Sequence, residues 1–452
     1  MKLSFAASAL VAFLLPVRAC LLDSELEAER EYRLHGTPVR RQQYAKRQAI
    51  DAMPIGKGDR FEHGNVSPFG LGISDRDLET VLNPGEIQSA LQGLANVYDS
   101  VELFSPPQHT HQNATLHGAV IGDDPRVFIM SGIHARERGG PDNVIYFMAD
   151  LLQAQAQGVG LTYGNKTYTN DDVETALSAG IVILPLTNPD GVAYDQATDS
   201  CWRKNRNPKS ATEGNDLSIG IDINRNFDFL FDYKTAFSRL AEVSSAASDD
   251  PHSEIFHGLS PASEPETQAI VWSVEQFDGL SWFLDLHSFG GDILYSWGDD
   301  NAQHTDPSQN FANASYDGTR GFLGDDPKEA TYKEFFEQED WDAELGVAKK
   351  MSKAMDDAGS VHYTPLETVL LYPTSGTSTD FMHGLYYGGE CGQKKLRSLT
   401  VEFGQPSGDG GSCPFYPSKR EYHDSMRSVN TGLMELLLNA AGPNGQPQQR
   451  EC

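Results

Sequence analysis

An apolar run, Val127-Phe128-Ile129-Met130, ends abruptly in Ser131-Gly132-Ile133-His134-Ala135-Arg136-Glu137. Short apolar runs of this kind read as buried strands, and the turn after this one carries an imidazole and a carboxylate three residues apart. Side chains at i and i+3 share one face of a turn, so His134 and Glu137 converge on one point. A zinc ion can take two ligands from a single turn in this way. A lone His-x-x-Glu pair also arises by chance in a chain of several hundred residues, so it stays a hypothesis until its context is found.

A third donor stands in the same kind of setting. Ser281-Trp282-Phe283-Leu284-Asp285-Leu286-His287-Ser288 places His287 after another apolar strand. Three N/O ligands with one position left for water form the pattern of a catalytic zinc, whereas structural sites are closed by four ligands and are richer in Cys. With these three residues alone, a satisfied histidine at a strand end stays equally open.

Other segments carry groups that a metal does not need but a substrate does. Asp222-Ile223-Asn224-Arg225-Asn226-Phe227 offers a guanidinium fork beside an amide, suited to bidentate recognition of a carboxylate. Trp202-Arg203-Lys204-Asn205-Arg206 can place a cation near a developing oxyanion. Leu371-Tyr372-Pro373-Thr374-Ser375-Gly376-Thr377-Ser378-Thr379-Asp380 sets a phenol on a turn-rich stretch. Leu399-Thr400-Val401-Glu402-Phe403-Gly404 puts a carboxylate inside an apolar strand, where it needs a partner or a function.

Taken together and in this order, the motifs resemble the zinc metallocarboxypeptidases of the pancreatic A/B type, from about residue 80 to about residue 440. The resemblance implies an α/β/α sandwich around a central mixed eight-stranded sheet and one Zn2+ per chain, held by His134, Glu137 and His287. It implies Asp222 as the carboxylate that orients His134, Glu402 as general base, and Arg203 as the group that polarises the scissile carbonyl. Asn224 and Arg225 would grip the free C-terminal carboxylate of a peptide, Tyr372 would close over it, and Arg136 would line the neighbouring subsite. The activity implied is hydrolysis of the C-terminal bond of peptides and proteins.

Two positions depart from the common family pattern. Arg138 stands after Glu137 where the family often has Trp, and Phe289 stands where it often has Tyr. Both are expected to change loop and subsite contacts while leaving the chemistry intact. The pocket-floor position falls on Thr379, a neutral residue, which favours neutral and mostly hydrophobic C-terminal residues. Glu367 lies near the expected pocket wall and could admit basic residues, although a surface position is expected for it. Broad or basic specificity, and a catalytically silent binding homologue, are the alternatives.

The remaining sequence is consistent with a secreted enzyme. Residues 1–19 read as a signal peptide, too short for a bilayer span, which needs about 20 apolar residues. Residues 20–47 then read as a short propeptide with dibasic pairs Arg40-Arg41 and Lys46-Arg47. An N-terminal extension over 48–79, a catalytic domain over 80–440 and a tail over 441–452 follow. The region before about residue 80 is too short and polar to build a core like that of the pancreatic activation domain, which argues against control by an inhibitory prodomain. Sequons at Asn65, Asn113, Asn165 and Asn313 matter only in a secreted chain. Of five cysteines, Cys20 would leave with the propeptide. The other four suggest disulfides, with Cys391–Cys413 and, more weakly, Cys201–Cys452 as the expected pairs.

The 39% hydrophobic content of 452 residues suffices for a large core, and one catalytic domain with insertions is expected. A formal charge of −29 argues against a nucleic-acid partner, since phosphate binding needs clustered cations. No later segment reads as a membrane helix, and a monomer is expected. The acidic stretch from Gly324 to Glu344 reads as a solvated insertion. Apolar spacing predicts a helix over 141–157, a strand over 181–184, a helix capped by Ser263 and running to about Phe277, and a final helix whose buried face is Tyr422, Met426, Val429, Leu433 and Leu437.

Overall fold

The computed structural model describes residues 21–36, 39, 52–74, 76–241, 243–323, 332–406 and 413–451. The signal peptide, Cys20, the dibasic pairs, Cys452 and the start of the acidic stretch lie outside the described residues.

Eight strands form the central sheet: β1 (Val101–Phe104), β2 (Gly118–Ile121), β3 (Val127–Ser131), β4 (Ile181–Leu184), β5 (Trp282–Ser288), β6 (Asp292–Tyr295), β7 (Thr364–Glu367) and β8 (Arg397–Phe403). Their spatial order is β1-β2-β4-β3-β5-β8-β6-β7. The central strands β4, β3, β5 and β8 run parallel. Antiparallel pairs β1–β2, β2–β4 and β8–β6 make the sheet mixed.

Alternation along the central strands divides their side chains between two cores, because successive strand residues face opposite ways. Val127, Ile129, Ile181, Ile183, Leu399 and Val401 belong to one core, while Phe128, Met130, Val182, Leu184 and Phe283 belong to the other. The helices over the first core are α1 (Pro84–Val97), α2 (Gly140–Gln157), α3 (Asn170–Leu177), α4 (Gln338–Ala358) and α5 (Lys419–Ala440). Helical segments Pro265–Glu275 and Ser378–Tyr387 lie against the second core. The result is the three-layer α/β/α sandwich expected from the sequence. Among the described residues, no helix is long and apolar enough to cross a membrane.

Local signals act as physical chemistry requires. Ser418 caps α5 in a reciprocal pair with Glu421, and Tyr422, Met426, Val429, Leu433 and Leu437 are all buried. The helix at Pro265 differs from expectation. It ends at Glu275, its cap position is Glu264, and it has no side-chain cap. Ser263 instead donates to Glu264 Oε1 and accepts from Asn226 Nδ2.

The expected disulfides are corrected by the fold. Cys201 bonds to Cys413, and Cys391 is free and exposed. Cys391 precedes β8 and Cys413 follows it, and seven extended residues separate the two ends of a strand by about 20 Å. The loops carrying Cys201 and Cys413 meet instead, burying both residues beside Phe289, Phe415 and Tyr416.

The acidic stretch is also not simply solvated in its described part. Glu334, Asp340 and Glu344 are buried. Asp340 pairs with Arg397 and Lys395, and Glu344 with His383. Asn65, Asn113 and Asn165 are exposed, while Asn313 is half-buried.

Near this region, burial and then the charge of Asp380 raise the Asp299 carboxyl to about 7. Burial and then Asp299 raise Asp300 to about 8. A carboxyl raised on folding holds a proton that the unfolded chain releases, so its stabilising contribution is present below the unfolded value and lost as pH rises through the folded one. Stability is expected to fall between about pH 4 and about pH 8, by up to about 1.4 kcal/mol for each tenfold difference in proton affinity between the folded and unfolded chains. Thermal melts across that range should show a shallower fall for Asp299→Asn; an unchanged slope would contradict this account.

Candidate functional site

The parallel strands β3, β5 and β8 end at the same edge of the sheet, the edge where open α/β sheets place their ligands. His134 and Glu137 follow β3, and His287 and Glu402 lie near the ends of β5 and β8. Glu402 and His287 are register partners on adjacent strands.

His134, Glu137 and His287 are buried together. His134 Nδ1 lies 2.7 Å from Glu137 Oε1, His287 Nδ1 lies 3.0 Å from Glu137 Oε2, and the two Nδ1 atoms are 3.1 Å apart. Among the described residues, this is the one group of three ligating side chains whose donor atoms all lie within 4.8 Å of one another.

The far side of each imidazole faces a carboxylate. His134 Nε2 is 3.1 Å from Asp222 Oδ1, and His287 Nε2 is 2.9 Å from Asp285 Oδ2. Such carboxylates hold the outer nitrogen protonated and turn the other lone pair inward. Two inward lone pairs beside a carboxylate are mutually repulsive without a cation, so the donor set fits zinc. Asp285 is not among the residues expected from the motifs. Its signal is nonetheless present in the sequence, since residues i and i+2 of a strand share a face and Asp285 precedes His287 by two.

Arg203 is buried and sends Nε and Nη2 to Asp222 Oδ2, at 3.1 and 2.9 Å. Its Nη1 points toward the cluster, 3.8 Å from Glu137 Oε1. Burial raises Asp222, but Arg203 and then His134 outweigh that cost and hold its carboxyl far below the usual range.

Asn224 and Arg225 lie on a single 3-10 turn capped by Asp222. Asn224 Oδ1 accepts from Ser378 N, and Arg225 Nη1 donates to the Asn224 carbonyl. Gly376 brings the Tyr372 segment against this turn. Its φ is +66°, and a Cβ there would stand 2.3 Å from the Arg225 carbonyl oxygen, a close approach that only glycine permits. Tyr372 is buried against Leu21, Leu26 and Ile255. Thr379 Oγ1 meets Thr400 Oγ1 at 3.3 Å. Glu367 accepts from the Trp341 indole.

The two departures noted in the sequence are packed into the disulfide loop. Arg138 pairs with Asp195 and Asp199 and lies over the Tyr416 ring. The Phe289 ring packs on Phe415. Arg136, also buried, binds Glu25.

Residues 87–410 match the zinc carboxypeptidase family model. The chain belongs to the zinc carboxypeptidase family. It is similar to carboxypeptidase B of Helicoverpa zea, 29% identical over 60% of this chain and 56% of that protein. It is 31% identical to carboxypeptidase A2 of Mus musculus over 39% of this chain and 36% of that protein. Carboxypeptidase O of Homo sapiens is 27% identical over 69% of this chain and 79% of that one. The match thus spans little more than half of the first relative's length and about a third of the second's. In fold, the chain is similar to bovine thrombin-activatable fibrinolysis inhibitor, with TM-score 0.56 and 20% identity over 79% of this chain and 96% of that one. Carboxypeptidase A of Helicoverpa armigera gives 0.54 and 21%, covering 80% and 75%.

Native mass spectrometry is expected to find one zinc per chain. Asp285→Asn should weaken zinc retention against a chelator about 10- to 100-fold, and unchanged retention would remove Asp285 from the site.

Proposed function

We propose that this chain is a secreted zinc-dependent carboxypeptidase that removes neutral, mostly hydrophobic residues from the free C termini of peptides and proteins. The observation that carries this reading is the pairing of Glu402 with His287 across two parallel strands, beside the Asn224–Arg225 turn.

Zinc, held by His134, Glu137 and His287, would supply Lewis acidity and bring the pKa of water to about 7. Glu402 takes the proton of the attacking water and delivers it to the leaving amine. Asp222 fixes the Arg203 plane so that Nη1 meets the developing oxyanion. Arg225 and Asn224 grip the terminal carboxylate, since a planar fork matches its two oxygens, and Tyr372 closes over it. Arg136 binds a polar group of the residue upstream.

The pocket preference follows from Thr379 and Thr400. Their hydroxyls satisfy one another, so the floor presents no charge to pair with a basic side chain. The adjacent Asp380 is committed to Thr374, Thr377 and the Gly298 N–H.

Glu402→Gln is expected to lower kcat/KM about 10²- to 10⁴-fold with zinc still bound; near-native turnover would remove Glu402 as the base. Arg225→Ala should cost about 10- to 100-fold on free C termini, the worth of a charge-assisted hydrogen bond. Equal losses on C-terminally amidated peptides would contradict its role.

A further inference from the structure

Each imidazole of the metal site reaches the Asn224–Arg225 turn by its own route. On one side, Asp222 Oδ1 faces His134 Nε2 at 3.1 Å and accepts from the Asn224 backbone N–H at 3.1 Å. On the other, Asp285 Oδ2 faces His287 Nε2 at 2.9 Å and accepts from the Ser378 hydroxyl at 2.6 Å. The backbone N–H of Ser378 then donates to Asn224 Oδ1 at 2.8 Å. His134, Asp222, Asn224, Ser378, Asp285 and His287 thus form one buried chain of contacts that begins and ends at metal-ligating histidines.

Ser378 joins the two routes through two different groups. It is the first residue of the helix Ser378–Tyr387, where a backbone N–H has no partner within the helix, and it gives that N–H to Asn224. With Asn224 Oδ1 engaged, Nδ2 is the end of the amide left to donate to a carboxylate, and it lies 3.4 Å from His287 Nε2. The Ser378 hydroxyl meanwhile holds the Asp285 carboxylate. Asp285 Oδ1 has no hydrogen-bond partner among the described residues, so the orientation of this carboxylate rests on the contacts of Oδ2. The helix itself does not require the hydroxyl, because Thr377 already caps it by accepting from Asp380 N.

We propose that Ser378 is a positioning residue that ties the metal site to the grip on the substrate carboxylate. Its hydroxyl acts on His287 through Asp285, and its backbone N–H sets which end of the Asn224 amide meets the substrate. The inference rests on the substrate role proposed for Asn224.

Zinc retention against a chelator and steady-state release of a C-terminal Leu or Phe would be measured on the zinc-loaded full chain, with thermal melts to confirm folding. Ser378→Ala removes only the hydroxyl and should weaken zinc retention about 10-fold, the low end for a partner behind a metal-bound histidine, with KM little changed. Added to Asp285→Asn, it should cost less than about twofold more, because both changes remove one contact. Pro is accepted at the first helical position and after the extended Thr377, so Ser378→Pro removes the N–H as well. It should raise KM for free C termini about fivefold above that of Ser378→Ala, the worth of one hydrogen bond. Wild-type zinc retention in Ser378→Ala, full additivity with Asp285→Asn, or equal KM in folded Ser378→Ala and Ser378→Pro would each overturn the proposal. If Ser378→Pro does not fold, the zinc measurements on Ser378→Ala decide it. Zinc losses as expected, in a chain whose wild type releases no C-terminal residue, would uphold the Ser378–Asp285 link and overturn the carboxypeptidase reading instead.

Discussion

The parallel pairing of β5 with β3 on one side and β8 on the other is the constraint on which the site depends. It brings the ends of three strands to one edge and sets Glu402 opposite His287 in register. A one-residue slip of β8 would turn Glu402 to the other face of the sheet. The apolar alternation that buries Val401 and Phe403 in the first core therefore also positions the carboxylate between them.

Buried charges at this edge share partners. Asp222 serves His134 and Arg203 together, and Asp285 holds His287 while accepting from the Ser378 hydroxyl. Removing one member of such a network leaves an uncompensated charge, which costs more than the pair contributes. This explains why the loops carrying Arg203, Asn224 and Ser378 are tied to one another rather than merely adjacent.

His134, Glu137, His287, Glu402 and the Asn224–Arg225 turn stand out in the sequence because each is a polar residue in an apolar or turn-rich setting that gives it no structural reason to be there; the roles proposed for Glu402 and that turn come from the resemblance. Asp285 is legible on the same ground, through strand alternation, although it belongs to none of the motifs. The buried acids Glu334, Asp340 and Glu344 are not, since a charge-dense segment has the composition of a solvated one. Lys395 and Arg397, the partners of Asp340, and His383, the partner of Glu344, are distant in sequence.

By itself, the sequence determined the fold class and the ligand types, because strand and helix periodicities and the order of the chemical motifs are local properties. Tertiary structure decided the Cys201–Cys413 pairing and the seat of the N-terminal helix on Arg136. Each depends on which distant segments meet, and that is set by the sheet order, which no local pattern encodes.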